Sequence, residues 1–159
     1  MQTDHETRVH EDDHHSIKLW LRMLTCSSLI ESQLRRRLRE EFDMTLPRFD
    51  FMAQLHRVPE GLTMGALSQR MMVSGGNVSG IANQLIKQGY ISRTTLAEDR
   101  RTFVVKLSAK GTNVFTKMAA QHEEWVIELL GGLAPEEVNR LSTLLAKVKS
   151  TVTNVVKES

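Results

Sequence analysis

Residues 74–80 read SGGNVSG, a polar stretch with three glycines. Gly75 and Gly80 enclose four residues, which is the gap that opens a phosphate-binding loop of the form G-x-x-x-x-G-K-[ST]. The next residues are Ile81 and Ala82, so the phosphate lysine and the magnesium-binding hydroxyl are both missing. No strand precedes the stretch, and the dinucleotide pattern G-x-G-x-x-G does not occur in it. Nucleotide hydrolysis is therefore set aside. A different chemistry fits. Ser74, Asn77, Ser79, Asn83 and Gln84 can donate and accept hydrogen bonds, and Lys87 can reach a phosphate. Val78, Ile81 and Leu85 recur at helical spacing and would face inward. A helix of this kind can lay its N-terminal half in a DNA major groove, with small and amide side chains toward bases and phosphates. Glycines at 75, 76 and 80 would let the backbone come close to the duplex. An ordinary amphipathic helix explains the polar face but not three glycines, each costing about 1 kcal/mol against alanine in a helix interior.

A second chemically active stretch is AEDRR, residues 97–101. It joins two segments of period two, YISRTTL and TFVVKL, and reads as the charged turn of a β-hairpin. An arginine at such a tip can enter a narrow, A·T-rich minor groove, where negative potential is concentrated. Arg100 and Arg101 are the candidates, with Arg93 adding charge on the first strand. Asp99 would repel DNA, but it could brace an arginine through a charge-assisted hydrogen bond. Charge supports an anion-binding middle. Residues 61–111 carry seven basic and two acidic side chains, a local charge of +5, while the remainder carries 14 basic and 17 acidic, or −3.

The elements around these residues follow from period and punctuation. Residues 1–14 form an acidic tail expected to be disordered. Ile17, Trp20, Leu24, Ser27, Ile30, Leu34, Leu38 and Phe42 recur at steps of three and four. They predict a long helix to about Glu41, with Ser16 as its N-cap. Thr45 and Pro47 start a second helix whose Phe49, Met52, Leu55 and His56 share a face, and PEG at 59–61 ends it. Two short helices follow, joined at Met72–Val73, with Thr63 capping the first and Ser74 the second. Leu67, Met71, Val73, Val78, Ile81 and Leu85 form their expected interior. Gly89 stands where a C-terminal cap belongs. After the hairpin, Ser108 caps a helix to about Leu130, with Val114, Phe115, Met118, Trp125, Ile127 (or Val126) and Leu129 as apolar contacts. Gly131–Gly132 breaks it, and Pro135 with Glu136 and Glu137 opens a last helix striped by Val138, Leu141, Leu144, Leu145, Val148, Val152 and Val155.

The fold class is thus mainly α with a small β-wing, a winged helix-turn-helix between long terminal helices. The expected division is N-terminal helices over 15–58, a DNA-binding lobe over 59–107, and C-terminal helices over 108–157. The terminal helices carry more apolar face than one small lobe can cover, which predicts a symmetric homodimer. Composition agrees with a soluble chain of one domain, 40% hydrophobic and 25% charged. The single cysteine excludes an intrachain disulfide and suits a cytoplasmic location, no apolar run would span a membrane, and the acidic N-terminus is not a signal peptide.

Residues 62–111, with LTMGALSQRM, VSGGNVSGIANQLIKQGYISR, EDRR and VKLSAKG, resemble the multiple-antibiotic-resistance regulator (MarR) family. The order of flanking helices matches as well. The resemblance implies a homodimer in which the first, fifth and sixth helices interlock, and a recognition helix from about Ser74 to Gln88 on a pseudo-palindromic, double-stranded operator. It also implies that Arg101 is the minor-groove arginine and Asp99 the bracing acid of the wing. Members usually repress nearby genes and leave DNA when a small aromatic molecule binds. The chain departs from the family pattern at Met72, where many such turns carry glycine, and at Ala97, where many wings carry proline. LWLRMLTCSSLIESQLRRRLREEFDMTLPRFDFMAQLHR with MMVSGGNVSG is further similar to the branch that controls aromatic-acid catabolism. That implies a hydroxycinnamate-type or benzoate-type effector, in some members a coenzyme A thioester.

A pocket for such an effector can be assembled from Trp20, Met23, Leu24, Ser27, Phe49, Met52 and His56. Arg22, Arg48 or the run Arg35–Arg39 would meet a carboxylate or phosphates. The same positions also read as core and solvated helix face. Redox or metal sensing is the competing function. Cys26 lies too late in the first helix for the family's peroxide-sensing position, which Leu21 occupies, and reads as a small buried hydrophobe. HEDDHH at 10–15 could hold a metal but falls in the acidic tail. No nucleophile–base spacing supports an enzyme, and no cofactor is expected.

Overall fold

The computed structural model describes residues 15–71, 77–96 and 98–159. Helix α1 runs over His15–Phe42 and is about 42 Å long at 1.5 Å per residue. It buries Thr25, Leu34 and Leu38. Ser16 sits inside its first turn, so the expected cap is not the boundary. The helix ends one residue beyond Glu41. Asp43 takes φ 49°, and the Met44 N–H donates to the Leu38 carbonyl. The Asp43 N–H also donates to the Arg39 carbonyl, the five-to-one bond of a left-handed cap in which glycine is the usual residue, made here by an aspartate that tolerates the left-handed region.

Helix α2 (Leu46–His56) starts as its sequence requires. Thr45 accepts the Arg48 N–H at 3.3 Å, and Pro47 stands in the first turn. Phe49, Phe51, Met52 and Leu55 are buried. Gln54 donates to the Asp50 carboxylate at 3.2 Å one turn back, which gives two buried polar side chains each other as partners. Strand β1 (Leu62–Thr63) follows, then α3 (Met64–Arg70), which Thr63 caps through the Ala66 N–H. Helix α4 spans Val78–Lys87. Its N-cap is Asn77, whose side-chain oxygen accepts the N–H groups of Ser79 and Gly80. Ser74, expected in that role, lies outside the described residues, and α4 starts four residues after it. Gly89 has φ +75° and closes the helix as expected.

Strands β2 (Ile91–Leu96) and β3 (Asp99–Leu107) pair antiparallel, and β1 adds to the other edge of β3 through Leu62–Val105 and Thr63–Val104. The sheet therefore has three strands in the order β1-β3-β2, where the sequence suggested a hairpin alone. Two residues are too short to show a period, which is why β1 was not legible. Its approach depends on Gly61, at φ +96°. A Cβ there would stand 2.4 Å from the Val104 side chain.

Helices α5 (Ala109–Leu129) and α6 (Pro135–Glu158) complete the chain. Two compact units result, divided between Glu123 and Glu124. The first has a continuous apolar core in which Leu38, Phe51, Met52, Leu67, Leu85 and Val105 are almost wholly inaccessible. Each such side chain contributes about 1.5–3 kcal/mol through removal from water. In the second unit, α6 buries none of its residues. Leu141, Leu144, Leu145, Val148, Val152 and Val155 form an uncovered stripe along it. Pro135, Glu136 and Glu137 open α6, and the Glu137 carboxylate accepts the Ala134 N–H at 2.7 Å.

Cys26 is exposed on α1, not buried. Three- and four-residue spacing places it beside the apolar stripe, but the buried arc of α1 is narrower than that stripe. Ile127 is likewise exposed on α5, whereas its alternative Val126 and Leu129 are half-buried and Phe115, Met118 and Trp125 are buried. Among the described residues, no helix is long and apolar enough to cross a membrane.

Candidate functional site

Helix α4 divides its side chains cleanly. Ile81, Ala82 and Leu85 are buried, with Val78 half-buried. Asn77, Ser79, Asn83, Gln84 and Lys87 are all exposed, so the polar residues singled out from the sequence share one accessible surface. The Asn77 side-chain oxygen is committed to the cap, which leaves its NH₂ group for a partner. Among the described residues, a Cβ added at Gly80 would meet only Asn77, at 3.7 Å. None of the described residues demands glycine there, so its openness is available to a molecule approaching from outside. Ser74, Gly75 and Gly76 lie outside the described residues.

The wing owes its shape to a break in register. Leu96 pairs with Asp99, but the neighbouring Thr95 pairs with Phe103. Residues 100–102 are therefore bulged out of the ladder, and bulges of this kind re-aim side chains. Asp99 spans the bulge. One carboxylate oxygen accepts the Arg101 backbone N–H at 2.9 Å and the other accepts the Thr102 hydroxyl at 2.8 Å. These bonds hold its carboxyl below the usual carboxylate value. The acid thus holds the backbone of Arg101, whose side chain is exposed. The expected charged turn is shorter than the sequence suggested, since Asp99 and Arg101 belong to β3. Arg93 lies over the Phe103 ring at 4.2 Å, a cation–π contact that stiffens the wing. The side chain of Arg100 lies outside the described residues.

Helix α4 and the wing are tied to α5 by Ser108 and Gly111. The Ser108 hydroxyl donates to the Gly89 carbonyl at 2.6 Å and accepts the Gly111 N–H at 2.9 Å. Lys110 donates to the Gln88 carbonyl at 3.0 Å, placing a cation at the C-terminal end of α4. The L-S-x-x-G pattern is therefore a joint between α4, β3 and α5.

The residues proposed for an effector pocket do not all come together. Trp20, Arg22 and Ser27 are exposed on α1, and Met23 and Leu24 are half-buried. Met52 is fully buried. Phe49 and His56 instead join a ring cluster between α2 and α5. Phe49 stacks on His122 at 4.7 Å and meets Phe115 at 5.4 Å, and His56 meets Phe115 at 4.9 Å. Burial lowers the pKa of His122, because removal from water disfavours the charged ring. His122 was missed from the sequence, although it stands two turns from Phe115 on the same apolar stripe. Arg48 is a clamp. It donates to Thr45 Oγ1 at 3.1 Å, Gln88 Oε1 at 3.0 Å and the Asp43 carbonyl at 3.0 Å. It also lines a cleft of about 400 Å³ with Arg35, Arg39, Pro47, Gly80 and Gln84. Among the described residues, no group of three or more His, Cys, Asp or Glu is placed to hold a metal. Of the HEDDHH run, only His15 is described.

Comparison with known proteins gives the arrangement its relatives. The sequence pattern of the MarR family matches residues 42–102. A MarR family transcriptional regulator from Silicibacter pomeroyi superposes with a TM-score of 0.77 at 31% identity, over 91% of this chain and 99% of that one. A MarR family regulator from Streptomyces coelicolor, solved in complex with DNA, superposes at 0.76 and 20% identity, over 90% of this chain and 91% of that one. A mutant MarR from E. coli, complexed with operator DNA, superposes at 0.73 and 22% identity, over 84% and 94%. The last two show the shared fold. The first, matched along nearly its whole length, shows the family: this chain belongs to the MarR family of transcriptional regulators.

Proposed function

We propose that the protein is a homodimeric repressor bound to a pseudo-palindromic operator in double-stranded DNA. A small aromatic ligand, a phenolic or hydroxycinnamic acid or its coenzyme A thioester, releases it. The observation that carries the DNA part is the pairing of two exposed elements. The face of α4 bearing Ser79, Asn83, Gln84 and Lys87 is open, and a braced bulge in the adjoining wing displays Arg101. A helix of that polarity suits the major groove, and an arginine on a short wing suits the neighbouring minor groove. The aromatic effector is supported by the Phe49, His56, Phe115 and His122 rings, which offer stacking partners between α2 and α5.

Gel-shift titration tests the DNA reading. Arg101→Ala is expected to weaken operator binding, most at A·T-rich flanks; equal affinity for variant and wild type would remove that role. Lys87→Ala is expected to lower affinity across sequences and reduce the salt slope by about 1. Phenolic acids and their coenzyme A thioesters, titrated against tryptophan fluorescence and then against the operator complex, test the effector. If none binds or displaces DNA, the aromatic reading fails and the DNA reading stands alone.

A further inference from the structure

Gln88 is the C-cap of α4 and is half-buried. Two other helices hold its oxygens. Its side-chain Oε1 accepts from Arg48 Nη1 of α2 at 3.0 Å, and its backbone carbonyl accepts from Lys110 Nζ of α5 at 3.0 Å. Both donors are themselves anchored. The other two nitrogens of the Arg48 fork donate to Thr45 Oγ1 and to the Asp43 carbonyl, at the corner between α1 and α2. The Lys110 ammonium stands 5.3 Å from the centre of the Tyr90 ring, and the Tyr90 N–H closes α4 by donating to the Leu85 carbonyl at 2.9 Å. A planar guanidinium with each nitrogen on a different acceptor is a stiff strut, which loses little further freedom in bonding Gln88. Both cations also stand at the negative end of the helix dipole.

These ties act on the direction of α4. Burial of Ile81, Ala82 and Leu85 fixes how deep the helix sits, but apolar burial is non-directional and specifies tilt weakly. Hydrogen bonds lose strength steeply as their angle departs from linear, so the two at Gln88 resist rotation. The helix is a lever with its fixed end at Gln88. From there to Asn77 is about 16 Å at 1.5 Å per residue. A turn of about 5° at Gln88 would carry Asn77 through about 1.4 Å, more than the whole spread of N–H···O hydrogen-bond distances. A small looseness at the C-terminal end thus becomes a mismatch at the end that carries Asn77 and Ser79.

We propose that Gln88 is a positioning residue for operator binding: held by Arg48 and Lys110, it sets the angle at which α4 enters the major groove without itself touching DNA. The proposal rests on the DNA reading above and needs no effector. Gln88→Leu keeps size and charge and removes the side-chain acceptor. Arg48→Lys keeps the charge, but a single ammonium cannot reproduce a fork spread over three acceptors. In fluorescence anisotropy of the full-length protein with labelled operator, each should weaken binding about fivefold to tenfold with the salt slope unchanged. The double variant should be no more than about twofold weaker than the weaker single one, because both changes remove the same tie. Gln88→Glu restores an acceptor for Arg48 and should bind operator more tightly than Gln88→Leu, although a negative charge near DNA would by itself have the opposite effect. Amide hydrogen exchange of the free protein gives a readout without DNA: the amides of α4 should exchange faster in Gln88→Leu and Arg48→Lys than in wild type, and recover in Gln88→Glu. Should Gln88→Leu not fold, Arg48→Lys tests the same bond from α2. Wild-type operator affinity in the single variants, losses that multiply in the double variant, a Gln88→Glu no better than Gln88→Leu, or unchanged exchange of α4 would each overturn the proposal. A salt slope lowered by about 1 in Arg48→Lys would do so too, because Arg48 would then meet phosphate directly. A wild type that binds no operator overturns the DNA reading and the role of Gln88 with it, whereas an operator-binding wild type matched by both single variants overturns the role of Gln88 alone.

Discussion

A methyl group at Gly80 fits among the described residues, of which the nearest atom would be Asn77 Cβ at 3.7 Å. Glycine in that helix is therefore a cost with no return from the described residues. Gly80→Ala is expected to raise stability by up to about 1 kcal/mol in urea unfolding, because alanine is the better helix former. The same change should lower operator affinity on the order of tenfold, comparable to one lost groove contact. Higher stability with unchanged DNA affinity would mean that the duplex does not approach Gly80. His122 makes a second prediction at this scale. Burial against Phe49 lowers its pKa below the ordinary 6.5, so the folded protein binds fewer protons there than the unfolded chain. Stability then rises with pH across that window and falls as pH drops below about 6.5, by at most about 1.4 kcal/mol per pH unit for one group. Urea midpoints followed downward from about pH 7 should show this decline in wild type, and a shallower one in His122→Phe.

Among the elements, the joint of α4, β3 and α5 is the least tolerant of change. A Cβ at Gly111 would stand 1.9 Å from the Tyr90 carbonyl oxygen, so the backbone itself would have to move. Gly111→Ala is expected to cost about 3 kcal/mol, at the upper end for overpacking, and to lower the thermal midpoint accordingly. A variant as stable as wild type would show that α5 can shift away from Tyr90 freely. The wing presents the opposite case. Its bulge lies on an exposed edge and is held by the Asp99 carboxylate, which makes its shape a matter of local hydrogen bonds. The helices were legible because their apolar spacing and caps are local signals: Thr45, Thr63, Ser108 and Pro135 all stand where helices start. The true cap of α4 was harder to read. Ser74 and Asn77 are both good N-caps by type, and only the folded backbone chooses between them.

For the whole molecule, the second unit raises the question of what covers α6. A 24-residue helix with no buried residue and an apolar stripe from Val138 to Val155 is poorly suited to water alone. The proposed homodimer would cover it. Leu144→Glu is expected to shift sedimentation equilibrium toward monomer and to weaken operator binding, since two half-sites would no longer be bridged. A dimer of unchanged strength would place the interface elsewhere.

Helix order, the winged arrangement, the basic middle and the polar face of α4 were all determined by the sequence itself. They depend on periodicity, capping and charge, which act over a few residues. The tertiary structure alone decided the rest. Strand β1 exists because β3 offers it an edge, and His122 joins Phe49 because α5 packs on α2. Arg35, Arg39 and Arg48 face one cleft although the chain separates Arg48 from the pair on α1. Spacing along one helix cannot report on contacts between helices, because those depend on how the elements close around a shared core.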